Sequence, residues 1–311
     1  MNKKIAIVIP SFNEEGNLIV MIETLQNICS NLAYDFSFVF VDDGSKDKTI
    51  SILKEKSTTI NNLFYVELSR NFGHQNALKA GIDLVKDNVD AIISMDGDMQ
   101  HPPSLIPELL DFWEQGFDVV YTIREEDKNL SFLKNKTSNL FYRLMNKLSD
   151  IKFEPGTADF RLIDKKVAKV FSDFQENELF IRGLINWVGF KQHAIHYKPH
   201  ARFAGTSKYT FAKMLRFAIQ GITSFSTKPL SLMIFFGLIL SAISFIFFIG
   251  YIFYSLHNET AISGWASLLA TVVFFGGLNL TVLGIIGIYI GKLFMQAKGR
   301  PNYIINHTNY K

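Results

Sequence analysis

The chain is poor in cysteine: Cys29 is the only one in 311 residues, so no intrachain disulfide can form, and a reducing compartment is expected. Cys29 falls within a helical pattern and is expected to be core packing. A large excess of either charge is also lacking. A formal net charge of +3, with no basic run interleaved with aromatics, argues against nucleic acid as a partner. The glycine fingerprint of a dinucleotide-binding fold is missing, because Pro10 to Asn17 after the first apolar run contains only Gly16. The run from Ile5 to Pro10 is too short for a signal peptide, so the N-terminal domain is expected to stay in the cytoplasm.

The most telling absence is local. No Lys, Arg, Asp or Glu occurs from Pro229 to Asn258, nor from Thr260 to Gly291. Each run exceeds the ~20 residues that cross a ~30 Å hydrocarbon core. A pair of buried core helices is the alternative, but soluble cores seldom hold uncharged stretches this long. Two transmembrane helices are expected. Lys208, Lys213, Arg216 and Lys228 precede the first, and Lys292, Lys298, Arg300 and Lys311 follow the second. The connection between them carries only Glu259, so both flanks read as cytoplasmic.

What is present upstream is an alternation. Apolar runs at Lys4 to Pro10, Phe36 to Val41, Leu63 to Leu68, Ala91 to Met95 and Asp118 to Ile123 predict strands. Helical spacing fills Glu14 to Leu32, Asp47 to Lys56, His74 to Val85 and Ser104 to Trp113. Such a chain is expected to be α/β, with a doubly wound, mostly parallel sheet. Ligands bind at the carboxyl ends of the strands in such sheets. Four strands end there in distinctive polar clusters: Pro10 to Glu15, Asp42 to Ser45, Asp96 to Asp98, and Arg124.

Each cluster has a chemical reading and a plainer one. Asp96, Asp98 and Gln100 offer oxygen donors at alternate positions, suited to Mg²⁺ or Mn²⁺ that completes its shell with substrate phosphates. Asp-Gly is also a common turn dipeptide. His101 before Pro102 reads as a conformational spacer rather than a ligand. Asp43 suits a base or ribose hydroxyl, whereas Asp47 suits a helix cap. Ala77, Ala80 and Gly81 fit close ligand approach and helix–sheet packing equally well, and His74 could be an ordinary surface histidine.

Together Pro10 to Glu15, Val41 to Ser45, Asn71 to Gln75 and Met95 to Pro103 resemble the inverting glycosyltransferases of GT-A fold. Within them, the chain is most similar to the dolichol-phosphate mannose synthase and bacterial undecaprenyl-phosphate (bactoprenol) glucosyltransferase group. The likeness extends to Gly156 to Leu162, Phe180 to Leu184, Arg202 to Tyr209 and the paired apolar runs, nearly the whole chain. The resemblance implies that Pro10, Phe12, Glu14, Val41, Asp43, Asp96, Gly97 and Arg124 bind a nucleotide-sugar. It implies that Asp96, Asp98 and Gln100 hold the metal, and that Asp159 occupies the position usually assigned catalysis. Arg161, Arg182, Arg202 and Lys208 are the expected contacts to diphosphate or acceptor phosphate. Phe12 departs from the group, where many members have Tyr, so a ring remains for the nucleoside but any hydroxyl contact is lost.

The expected donor is UDP-glucose, with UDP-N-acetylglucosamine, UDP-galactose and GDP-mannose as alternatives, and the acceptor a polyprenyl phosphate. A phosphate acceptor is already nucleophilic at neutral pH, so Asp159 is expected to organise the site rather than remove a proton. The expected layout is a GT-A domain over 1–208, a juxtamembrane region over 209–228, a transmembrane hairpin over 229–296 and a cytoplasmic tail over 297–311. Asn129 to Leu148 and Tyr209 to Phe225 are expected to be amphipathic, the second facing membrane lipids. A homo-oligomer is compatible with the sequence but not specified by it. A processive polysaccharide synthase is the competing enzyme reading, weakened because Arg182 to Trp187 lacks Gln-x-x-Arg-Trp and two spans enclose no evident channel. A non-enzymatic membrane scaffold is opposed by the intact acidic motif.

Overall fold

The computed structural model describes residues 2–125, 146–147, 154–176, 179–198, 222–223, 226–258 and 264–310. The first half alternates as the sequence predicts: β1 (Lys4–Ser11), α1 (Leu18–Cys29), β2 (Asp35–Asp42), α2 (Thr49–Thr59), β3 (Leu63–Leu68), α3 (His74–Val85) and β4 (Ala91–Ser94). A short 3-10 turn (Pro103–Leu105), α4 (Ile106–Glu114) and β5 (Val119–Arg124) follow. After these come β6 (Thr157–Asp164), α5 (Lys165–Ser172), α6 (Ile181–Trp187) and β7 (Gln192–Tyr197). Two long helices, α7 (Lys228–Asn258) and α8 (Trp265–Ala297), precede a last strand, β8 (Ile305–Thr308).

The strands form one eight-stranded sheet in the order β7-β5-β6-β4-β1-β2-β3-β8. The β4–β1–β2–β3 centre is parallel, as is β5 with β7. β6 enters antiparallel between β4 and β5, which makes the sheet mixed but mostly parallel. Both faces are buried, so strand side chains divide by parity. Ile5, Ile7 and Ile9 of β1 join the core with α1 and α4, while Ala6 and Val8 face the core that contains α3. On α1 the buried residues Leu18, Met21, Ile22, Leu25 and Cys29 make one helical stripe. Cys29 is thus core packing, as its pattern indicates.

Gly81 explains how closely α3 approaches the sheet. A Cβ there would lie 2.3 Å from Val8 Cγ1 and 2.9 Å from Val41 Cγ2. The small residues of this helix serve helix–sheet packing.

The segment expected only as a tail returns to the sheet. β8 pairs antiparallel with the outer edge of β3, and Tyr65 N–H donates to Asn309 Oδ1 at 2.8 Å. Tyr303 donates to Asp83 Oδ2 of α3 at 2.8 Å, and Tyr310 packs edge-on to Phe64. α7 and α8 each contain a stretch long and apolar enough to cross a membrane, Lys228–Phe247 with mean hydropathy 2.5 and Thr271–Ala297 with 2.0. Most of the two expected amphipathic segments lies outside the described residues.

Candidate active site

The loops after β1 and β2 are sewn together by polar groups. Asn13 N–H donates to Ser45 Oγ (2.9 Å), Lys46 N–H to Asn13 Oδ1 (2.8 Å) and Glu14 N–H to Thr49 Oγ1 (2.9 Å). Asp47, just before α2, accepts from Thr49 N–H at 3.0 Å and from Glu15 N–H at 3.2 Å. Asn13 stands at φ 56°, a left-handed conformation uncommon outside glycine. The other non-glycine residue at positive φ among those described is Met99 (φ 62°), within the acidic loop after β4. Strain of this kind clusters where a loop must aim its neighbours. Here it sits in the two loops carrying the strongest sequence motifs.

Asp43 is 3% exposed, and its oxygens accept from Phe72 N–H (2.7 Å) and Gly73 N–H (2.9 Å). Burial pushes its carboxyl pKa up, against those two bonds and the charges of His74 and Arg70. Asp43 therefore positions the loop before α3 as well as lining the cleft. Gly44 permits this approach: it has φ +70°, and a Cβ would come within 2.6 Å of the Arg70 carbonyl carbon.

The acidic loop is held from inside. Asp96 N–H donates to His101 Nδ1 at 2.9 Å, and the His101 ring stacks on Phe160 at 5.4 Å. His101 is thus more than a spacer: it fixes the backbone of Asp96, a role with no signal in the local pattern. Asp98 Oδ1 accepts from Gln100 N–H at 3.1 Å. Asp96 Oδ1 is buried without a hydrogen-bond partner, with His74 Nε2 at 3.3 Å. An orphaned carboxylate oxygen beside a second carboxylate is the donor chemistry a hard divalent ion requires.

Asp159 lies on β6, which the register brings beside β4, and is 5% exposed. Its Oδ1 accepts from Arg182 Nε (2.9 Å) and Arg161 Nη2 (3.2 Å), and its Oδ2 from Arg182 Nη2 (2.9 Å) and Gln75 Nε2 (3.5 Å). Burial alone raises the pKa of this carboxyl, but the two guanidinium groups outweigh it and hold Asp159 well below the usual carboxylate range. A carboxylate so engaged is a poor proton acceptor. Gln75 also ties α6 in, since Ile181 N–H donates to its Oε1 at 3.1 Å.

These groups surround a cleft of about 510 Å³ lined by Pro10, Phe12, Glu14, Asp43, Asp96, Gly97, Asp98, Asp159 and Arg182, among others. The volume suits a nucleotide-sized ligand. Phe12 is 42% exposed at the cleft, as a stacking ring requires. Asn71, Gly73, His74 and Gln75 complete the wall. His74 is therefore a cleft residue, 3.9 Å from Asp159 Oδ2, and not an ordinary surface histidine.

The other expected site residues among those described do not line the cleft. Arg161 is 3% exposed and donates to Ala158 O at 2.8 Å and to Asp159, so it supports the acid from beneath rather than meeting a phosphate. Burial lowers its pKa to about 10 against the pull of Asp159. The Val41 side chain lies in the core that contains α3. Gln100 and Arg124 do not line the cleft; Gln100 contributes its main-chain N–H to Asp98, and Arg124 ends β5 at the same sheet edge. Arg202 and Lys208 lie outside the described residues.

Residues 6–171 match the model of glycosyl transferase family 2. The chain is 40% identical over 303 residues to the uncharacterized glycosyltransferase YkcC of Bacillus subtilis, covering 97% of this chain and 93% of that one. It is 37% identical over 308 residues to the bactoprenol glucosyl transferase of Shigella phage SfV, covering 99% of this chain and all (100%) of that one. The prophage bactoprenol glucosyl transferase homolog of Escherichia coli K12 is 36% identical over 305 residues, covering 98% and 99%. A solved structure of glucosyl-3-phosphoglycerate synthase from Mycobacterium tuberculosis, with Mn²⁺ and UDP-glucose, overlays with TM-score 0.44 at 14% identity, covering 71% of this chain and 77% of that one. With its motif loops gathered at one sheet edge and full-length relatives of the same kind, the chain belongs to glycosyl transferase family 2 and is a glycosyltransferase of GT-A-like fold.

Proposed function

We propose that this enzyme transfers glucose from UDP-glucose to the phosphate of undecaprenyl phosphate at the cytoplasmic membrane face, giving a lipid-linked sugar for cell-envelope glycan modification. The observation that carries the reading is the Asp159–Arg182 pair standing across one cleft from Asp96 and Asp98. Full-length similarity to proteins named bactoprenol glucosyl transferase supports the donor sugar and the lipid class.

In the proposed reaction an acceptor phosphate oxygen forms a bond to the anomeric carbon as the bond to the diphosphate oxygen breaks. The nucleoside diphosphate leaves with the electron pair, and the configuration inverts. A phosphate monoester has its second pKa near ~6, so the attacking oxygen carries no proton to remove. This matches an Asp159 whose lone pairs are already engaged. Asp159 instead holds Arg182 at the cleft, where the guanidinium faces developing phosphate charge. Asp96 and Asp98 would hold Mg²⁺ or Mn²⁺, which when bound supplies charge neutralisation to the leaving diphosphate. Phe12, Glu14 and Asp43 would hold the nucleoside, and Arg124, Arg202 and Lys208 are the further candidates for phosphate.

α7 and α8 are proposed to span the membrane with both outer ends cytoplasmic. The positive flanks support this, and so does β8, which follows α8 directly and pairs within the catalytic sheet.

The decisive assay offers purified enzyme a panel of radiolabelled UDP-glucose, UDP-N-acetylglucosamine, UDP-galactose and GDP-mannose with undecaprenyl phosphate. Lipid-extractable label is expected from UDP-glucose, abolished by EDTA. Label from another donor alone would overturn the sugar assignment, and full activity in EDTA the metal.

A further inference from the structure

Besides Phe12, one large aromatic side chain is exposed among the described residues up to 198. Trp187 is the last residue of α6 and 63% exposed, whereas Ile181, Leu184 and Ile185 of the same helix are buried. Its ring packs edge-on against Phe174, with centroids 5.8 Å apart at 71°. The residues following Phe174 meet the end of α8. Gln296 Nε2 donates to Gln175 O at 2.8 Å, and the charge of Lys292 opposes the upward push of burial on Glu176. Lys292 is also the first charge after the uncharged run from Thr260 to Gly291. That is where a span leaves hydrocarbon for headgroups. Trp187 thus packs on Phe174, the residue just before the segment that meets the end of α8.

We propose that Trp187, backed by Phe174, docks in the headgroup layer of the membrane and sets the depth of the active-site cleft. The inference rests on the proposed membrane placement of α7 and α8. Indole suits this position because its body is apolar while its N–H needs a polar partner, which headgroups and interfacial water supply. The same residue facing bulk water would leave a large apolar surface hydrated for no gain. The functional consequence follows from α6 itself. Arg182 and Trp187 are five residues apart on one helix, at most about 7.5 Å along its axis. A headgroup layer is roughly 5–7 Å deep per leaflet. Seating Trp187 there keeps Arg182, and the Asp159 it clasps, within reach of the plane where a lipid phosphate lies.

Fluorescence quenching tests this in the full-length protein. The chain has three tryptophans, and Trp113 is buried in the catalytic domain, donating to Asp164 at 2.9 Å, so it serves as an unquenched internal reference. Trp265→Phe, Trp187→Phe and the double variant are reconstituted into phosphatidylcholine–phosphatidylglycerol nanodiscs carrying lipid brominated near the headgroup or near the chain end. The Trp265→Phe protein is expected to be quenched more than the double variant, and more by shallow bromine than by deep. If Trp187 is unquenched while Trp265 in the Trp187→Phe protein is quenched, the spans are embedded and Trp187 faces water or protein, which overturns the docking. Stronger quenching by deep bromine overturns the headgroup placement. If neither tryptophan is quenched, the membrane reading fails and this inference falls with it.

Discussion

At the scale of single residues, the site depends on charges and donors that each hold a second group in place. Arg182 meets Asp159 through two nitrogens, a fork that lysine cannot reproduce. Arg182→Lys is expected to keep the fold and lower kcat/KM at least about tenfold, since a charge-assisted hydrogen bond contributes ~1.5–3 kcal/mol. Steady-state kinetics against soluble fold controls would check it. His101→Phe retains a ring to stack on Phe160 but removes the acceptor for Asp96 N–H. The expected outcome is a higher metal concentration for half-maximal activity with little change in thermal stability. Asp159 also carries a pH signature. Its folded pKa lies below the ~3.9 of an unfolded aspartate, so its stabilising contribution is complete above that value and is lost as pH falls toward the folded pKa. Asp159→Asn is therefore expected to flatten the acid limb of stability against pH below about pH 4, read by thermal unfolding of the catalytic domain.

At the scale of elements, close approach and edge protection decide the energetics. Gly81→Ala would drive a methyl against Val8 and Val41 where α3 packs on the sheet, and overpacking of this kind costs about 1–3 kcal/mol. β8 covers an edge of β3 that would otherwise present unpaired backbone groups. Truncation after Gly299 is expected to lower the melting temperature and promote self-association, measured by calorimetry and light scattering. Tyr303→Phe, which loses only the bond to Asp83, should cost roughly 1 kcal/mol. The elements differ in how plainly the sequence announced them. β1 to β5 and α1 to α4 were legible because period-2 and period-3.6 patterns follow from burial on one or two faces. β6 and β8 were not: both pair antiparallel with partners distant in sequence, and nothing local specifies that pairing. The motif loops were legible as chemistry, yet Gln75 and His101 gained their roles only through groups that the fold brings to them.

At the scale of the whole molecule, the proposed topology has its own test. Cys29 is buried, with its thiol pKa pushed up to about 12 by burial, so it is expected to remain silent toward maleimides. Ser263→Cys, in the connection between α7 and α8, would then be the sole reactive thiol, labelled by an impermeant reagent from outside intact cells. Labelling only in inverted vesicles would reverse the orientation. The alternating α/β order, the two apolar helices and the acidic motif could be read directly, because burial periodicity, uncharged run length and ligand chemistry are properties of neighbouring residues. The tertiary structure alone decided that Arg161 lies beneath Asp159, that Arg182 clasps it from the cleft side, and that β8 returns to the sheet after the two apolar helices. Those arrangements depend on which strand lies beside which, and an ion pair between distant residues has no signal until pairing brings the charges within a few ångströms.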